Sequence, residues 1–287
     1  MCDDFIHPGL VEDHRLSRRS FGLMTAAVAG VPGSAMAQSN VVEKDVQVKT
    51  ADGTCDAALF HPAGQGNWAA VLIWPDIMGL RPAFRDMGRR LAAQGYVVLV
   101  PNPFYRSAHA PVIGESFDFN NQEQRARLFG YRAAMSDAGV DHDAAAYLAF
   151  LDAQPQTNKA RKAGVQGYCM GGALSFRTAA AAPTRIAAVG SFHGGNGLVT
   201  KDANSPHLLI AKTGASYLVA QAQNDDSQQP QMKEDLKAAF ITAKKPATVE
   251  VYAANHGWCV KGGAAYNEAE AERAWMALSK LYQTALV

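Results

Sequence analysis

A cysteine framed by glycines carries the strongest chemical signal in this sequence. Gly167-Tyr168-Cys169-Met170-Gly171, followed by Gly172, falls between a predicted strand and a predicted helix. A sharp strand-to-helix turn lifts one side chain above a sheet edge, and glycine two residues before and two after it is what such a strained turn tolerates. A thiol at a helix N-terminus is favoured as the thiolate, its nucleophilic form. The backbone N–H of Met170 would then point to where an oxyanion develops on an attacked carbonyl. The plain alternative is a small buried cysteine between two glycines.

The groups that would activate such a thiol lie downstream. Asn255-His256-Gly257-Trp258 follows the last predicted strand, and Gln223-Asn224-Asp225-Asp226 follows the strand before it. His256 would take the proton from Cys169 and return it to a leaving alkoxide. An aspartate behind it would fix the imidazole tautomer and stabilise the imidazolium. Asp225, three residues after Ala222, has the favoured spacing, with Asp226, four residues before Pro230, as second choice. The order nucleophile, acid, histidine is that of α/β-hydrolases.

These side chains need a frame. Val41 to Lys49 and Cys55 to Phe60 alternate as strands around the turn Ala51-Asp52-Gly53, which predicts an antiparallel opening hairpin. The runs Ala69–Trp74 and Tyr96–Val100 are continuously apolar, as in strands buried on both faces of a parallel sheet. Ala163–Tyr168, Ile186–Phe192, Tyr217–Gln221 and Thr248–Tyr252 read as further strands. Helical patterns lie at Pro82–Gln94, about Asn121–Met135, Asp141–Ala153, Gly172–Ala182, Gln231–Ala243 and Ala264–Ala285, and 107–120 reads as an irregular loop. Strands alternating with helices predict an α/β fold with a mostly parallel central sheet flanked by helices on both faces. No linker composition divides residues 38–287, so they are predicted to form one domain.

Of the 287 residues, 48% are hydrophobic and 18% charged, enough apolar content for a sizeable core. The net charge of +1 leaves no basic footprint for nucleic acid. Residues 1–37 read as a twin-arginine signal peptide: Ser17-Arg18-Arg19-Ser20-Phe21, a weakly apolar stretch to Val31, then Ala35-Met36-Ala37 as a cleavage site. That stretch is too short to span a bilayer and is broken by Pro32 and Gly33. The expectation is a periplasmic or secreted protein, free of the membrane after cleavage. Cys2 would leave with the signal, and the odd number left, Cys55, Cys169 and Cys259, implies at least one free thiol. A Cys55–Cys259 bridge is open on sequence alone. The cysteine spacing fits no zinc site, and no metal or cofactor is expected.

Over most of residues 40–287 the chain resembles the dienelactone hydrolase (carboxymethylenebutenolidase) family. The resemblance rests on Trp74-Pro75-Asp76-Ile77-Met78-Gly79-Leu80, Pro101-Asn102-Pro103-Phe104-Tyr105-Arg106, the cysteine turn, Gln223-Asn224-Asp225-Asp226 and His256-Gly257-Trp258. It implies a small-molecule ester or lactone substrate, carboxylate-bearing in the family, and an acyl-enzyme formed on Cys169. It also implies that Ile77 gives the second oxyanion-hole N–H and that the acid at position 76 gates Cys169. Here that acid is Asp76 where the family's best-known members carry Glu; the alternative for Asp76 is a loop-capping carboxylate. Arg106 matches a family arginine that holds the substrate carboxylate, a task suited to a guanidinium fork. The family's second carboxylate cluster uses Ser and Arg after the histidine, where this chain has Gly257, Trp258, Cys259 and Val260. His193, in Ser191-Phe192-His193-Gly194-Gly195, would line the pocket or serve structure. Competing functions are an exported thiol redox protein and a non-catalytic binding module on the same fold.

Overall fold

The computed structural model of the protein describes residues 40–114 and 116–287. The predicted export segment lies outside the described residues. The chain opens with an antiparallel hairpin of β1 (Val41–Thr50) and β2 (Gly53–Pro62), in which Val41 faces Pro62 and Thr50 faces Gly53. Then β3 (Ala69–Trp74), β4 (Tyr96–Pro101), β5 (Ala163–Tyr168), β6 (Ile186–Phe192), β7 (Ser216–Ala222) and β8 (Ala247–Tyr252) complete an eight-stranded sheet of order β1-β2-β4-β3-β5-β6-β7-β8. β2 joins β4 antiparallel, and every later pairing is parallel.

Side-chain alternation along the strands sorts the core into two layers. Ala70, Leu72 and Trp74 of β3 face one layer, whose helical wall is α2 (Gln122–Ala133), α3 (Asp137–Asp152), α4 (Met170–Ala181) and α7 (Pro230–Ala243). Ala69, Val71 and Ile73 face the other layer, closed by α1 (Pro82–Ala93) and α8 (Glu268–Ala285). Helices α1 and α8 show why they dock: Phe84, Met87 and Leu91 on one, Trp275, Leu278 and Tyr282 on the other, recur at helical spacing and are buried. Pro82 stands in the first turn of α1, where its missing N–H leaves no bond unmade. Ser136 caps α3 by accepting the Gly139 N–H at 3.0 Å, so this helix begins at Asp137, before the predicted Asp141. Two short helices, α5 (Pro206–Leu209) and α6 (Gln223–Gln228), stand where the sequence predicted none.

The chain moves from β3 outward to β4, then returns to place β5 on the other side of β3. Crevices for ligands form beyond the carboxyl ends of strands at such a reversal. The segment after β3 and the turn after β5 meet there, carrying Ile77 and Cys169. No helix among the described residues is long and apolar enough to cross a membrane.

Candidate active site

Two glycines make the turn at Cys169 possible. A Cβ on Gly167 would lie 1.8 Å from the Gly171 carbonyl oxygen. A Cβ on Gly171 would lie 2.4 Å from the carbonyl oxygen of Trp74 and 2.7 Å from that of Pro75. Their bareness lets the segment after β3 press against the start of α4. Cys169 takes φ 54° and ψ −119°, a conformation that costs a side-chain-bearing residue about 1–3 kcal/mol. Its N–H is shared between the Phe192 carbonyl at 3.0 Å and Nδ1 of His193 at 3.1 Å. His193 also has a positive φ, 37°, so two strained residues sit together at the ends of β5 and β6.

His256 reaches Cys169 from the loop after β8. Its Nδ1 lies 2.7 Å from Oδ2 of Asp225, and its ring shares the lining of one cavity with Cys169. Burial opposes a charge on His256, but the bonds to Asp225 and Cys169 and their negative charge outweigh it and raise its pKa to about 10. Asp225, 8% exposed, projects from α6. Asp226, its neighbour, turns away and accepts both of its bonds, at 2.7 and 2.9 Å, from Nζ of Lys233. Asn224, quoted in the sequence motif without a role, accepts the backbone N–H of His256 at 2.8 Å and so fixes the loop.

The site opens into a cavity of about 710 Å³ that Cys169, His256, Asp225, Ile77 and Met170 all line. Met170 heads α4, where the first-turn N–H groups lack helical carbonyl partners. The cavity also takes in Phe129, Arg132 and Arg177 from α2 and α4, and the polar loop of Asn196, Thr200 and Asn204. None of these six stood out in the sequence, because helix and loop residues of mixed type carry no motif.

One sequence expectation needs correction, and for two residues the structure favours the structural alternative. Arg106 does not line the cavity. Its guanidinium is held by Asp143 at 2.7 and 2.9 Å and by Asp52 at 2.6 and 3.0 Å, under the opening hairpin. Asp143 is fully buried, so its charge claims the nearest fork, and nothing of Arg106 is left for a substrate. Asp76 does not direct its bonds at Cys169 either. Arg81 grips it bidentately at 2.6 and 2.7 Å, and Oδ1 also accepts the Met78 N–H at 2.9 Å, so Asp76 braces the loop that carries Ile77. His193 lies beneath the cavity wall rather than on it: 1% exposed, with its ring 4.8 Å from that of His256 and 5.2 Å from Trp258. Burial, then the charge of His256, holds its pKa well below the ordinary histidine value.

Cys55, Cys169 and Cys259 are free thiols. Cys55 is buried among the α3 side of the core and Cys259 packs on the α1–α8 side, so the sheet separates them. No bridge joins Cys55 to Cys259. Burial pushes the Cys55 thiol up to about 12, against the bond it accepts from Tyr147. Among the described residues no group of three or more His, Cys, Asp or Glu side chains is arranged to hold a metal ion.

Comparison with known proteins places this geometry in context. The profile of the dienelactone hydrolase family matches residues 55–286. A Synechocystis protein provisionally named carboxymethylenebutenolidase is 26% identical over 231 residues, 79% of this chain and 91% of that one. Carboxymethylenebutenolidase of Pseudomonas sp. strain P51 is 36% identical over 129 residues, 45% of this chain and 51% of the relative, so that match spans about half of the relative's length. Among solved structures, a Klebsiella pneumoniae protein provisionally named dienelactone hydrolase aligns with a TM-score of 0.72 at 20% identity, covering 85% of this chain and 99% of that one. A dienelactone hydrolase-like promiscuous phosphotriesterase, P91, from metagenomic libraries aligns at 0.68 and 21% identity, covering 86% and 100%. At such identities the structural likeness speaks for the α/β-hydrolase fold.

Proposed function

Because this chain belongs to the dienelactone hydrolase family, a family of hydrolases, we propose that it cleaves small-molecule carboxylic esters or lactones through an acyl-cysteine at Cys169. The observation that carries this reading is the Asp225–His256 pair, with 2.7 Å between Oδ2 and Nδ1, lining one cavity together with Cys169. His256 takes the proton of Cys169, and the Asp225 carboxylate at 2.7 Å favours the imidazolium so formed. Sγ attacks the carbonyl carbon, and the electron pair of the C=O bond moves to oxygen. The N–H groups of Met170 and Ile77 face that oxyanion. Collapse expels the alkoxide, which takes the proton from His256. Water, deprotonated by the now neutral His256, then attacks the thioester and frees the acid and the thiol. Asp225 holds the imidazole in one tautomer throughout.

The test is intact-mass spectrometry on p-nitrophenyl acetate turnover. An acetyl adduct should form on Cys169 and vanish at the rate of acid release, and Cys169→Ala should show neither adduct nor turnover. Turnover undiminished in Cys169→Ala would remove the reading.

Two finer points belong to the same proposal. A carboxylate-bearing substrate would meet Arg132, which lines the cavity, and not Arg106; Arg177 also lines it but its guanidinium is held by Asp141 and Asp137. Delivery outside the cytoplasm through the twin-arginine route rests on Ser17-Arg18-Arg19-Ser20-Phe21. Replacing Arg18 and Arg19 by Lys should leave precursor in the cytoplasm; unchanged delivery of a chain starting near Gln38 would dismiss that route.

A further inference from the structure

Helix α2 buries little for its length. Of its twelve residues only Leu128 is buried, and its neighbour Phe129 is 51% exposed. A helix held by the hydrophobic effect would turn such a ring inward. Phe129 instead forms a wall of the cavity that contains Cys169. From there aromatic surface continues outward. The ring of Phe119, 42% exposed, lies edge-on to Phe129 at 6.5 Å, and Phe117 lies edge-on to Phe119 at 6.2 Å. Phe117 is half-buried and packs on the core, so the series is anchored at its far end. The other large exposed apolar side chains with named elements, such as Ile241 on α7 and Met276 on α8, are single residues on separate helices. Scattered single residues need no explanation, whereas a contiguous patch joined to a cavity marks a binding surface.

The cavity also exceeds what a small lactone fills. Its 710 Å³ lies in the range that holds a drug-sized molecule. Next to the cysteine the wall is apolar: Ile77, Met170, Ala173 and Leu174. An apolar group attached to the reacting carbonyl therefore has apolar side chains to meet in the same cavity, Phe129 among them, and Phe119 beyond it.

We propose that the cysteine site takes esters carrying an extended apolar arm, alkyl or aryl, that leaves the cavity across Phe129 and Phe119. This rests on the reading of Cys169 as nucleophile and adds the substrate's shape to it. The arm displaces water from the two half-exposed rings, whose open surface receives it. The rings make their contacts with the arm and not with the reacting atoms, so the gain should fall mainly in KM.

The experiment measures kcat/KM for two series: p-nitrophenyl esters from acetate to octanoate and to 4-phenylbutyrate, and acetates of alcohols from ethyl to octyl. In the wild type at least one series should rise by about tenfold or more from the short to the long member. In Phe119→Ser and in the double variant Phe119→Ser/Phe129→Ser that ratio should fall at least fivefold, through KM. Ile241→Ser, on the separate helix α7 and still more exposed, should leave it unchanged. Flat series in the wild type, or a ratio preserved in the double variant, overturns the proposal. Should the double variant change the oligomeric mass in gel filtration with the ratio intact, the patch belongs to a contact between copies of the chain and the proposal fails. Failure of the nucleophile reading would look different: Cys169→Ala would still turn over the short esters, whatever the ratios.

Discussion

His193 Nδ1 accepts the backbone N–H of Cys169 at 3.1 Å, while its ring sits 4.8 Å from the ring of His256. Two histidines thus stand side by side with pKa values shifted in opposite directions. Asp225 and Cys169 hold a proton on His256, whereas burial and the charges of His256 and Arg81 keep His193 neutral. Because Nδ1 accepts, the proton of neutral His193 is on Nε2, which is buried without a partner among the described residues.

His193→Asn should therefore behave unlike His193→Leu. The Asn side-chain oxygen stands near the place of Nδ1 and can accept the Cys169 N–H; Leu cannot. Losing one hydrogen bond of about 1 kcal/mol predicts roughly a fivefold fall in kcat for Leu. Asn should recover most of it. The alkylation rate of Cys169 by iodoacetamide should move in the same order, which a general loss of packing would not produce. Equal kcat in Asn and Leu variants would deny His193 a role in positioning the thiol.

Asp225→Asn and Asp226→Asn separate the two adjacent carboxylates. Without the carboxylate on Nδ1 the imidazole adopts the wrong tautomer, an effect of up to about four orders of magnitude in kcat in the best-studied triad. Asp226→Asn loses an ion pair with Lys233 at the rim of the fold, worth about 0–1 kcal/mol of stability, and should keep nearly full activity. Steady-state kinetics on one neutral p-nitrophenyl ester decides. A slow Asp226 variant beside a fast Asp225 variant would reverse the assignment.

The sequence was most informative where backbone and chemistry are coupled. Gly167 and Gly171 stand out because a Cβ would strike carbonyl oxygens, and the buried runs of β3 and β4 because both faces are covered. It left Asp225 and Asp226 open, since both lie on a six-residue helix whose direction depends on the Asn224 and Gln223 contacts to the His256 loop. It missed the cap at Ser136, an ordinary serine until the chain after it turns helical. Arg106 and Asp76 misled for one reason: a charged side chain is claimed by whichever opposite charge the fold buries beside it. Asp143 and Arg81, the partners in question, are 37 and 5 residues away in sequence.

Stability should carry the signature of His256. Its pKa is about 10 in the folded protein against 6.5 for the free side chain. The folded state therefore binds the proton more tightly than the unfolded state does. The resulting stabilisation is complete below about pH 6.5, declines between there and about pH 10, and is absent above. The difference in Tm between wild type and His256→Gln should accordingly shrink as pH rises through that window. In the Asp225→Asn background, where the main partner of the charge is gone, the pH dependence should flatten. A difference that widens with rising pH would contradict the raised pKa.

Arg106 should matter for folding and not for substrate choice. Asp143 is buried with its side chain 1% exposed, and it takes bonds from Arg106 and, at 2.8 Å, from Tyr105. Arg106→Met removes the one positive charge paired with that carboxylate among the described residues and leaves it buried with a neutral hydroxyl. Breaking a buried pair by deleting one partner costs about 3–5 kcal/mol, because the remaining charge stays desolvated. The double variant Arg106→Met/Asp143→Leu removes both charges and should recover a large part of that loss, since a buried pair replaced by apolar residues is often near neutral. Chemical denaturation at constant m-value gives both differences. Meanwhile the kcat/KM ratio for a matched acidic and neutral ester should be the same in wild type and in folded Arg106→Met. A ratio that collapsed in Arg106→Met with stability unchanged would return this arginine to the substrate and overturn its placement beneath the hairpin.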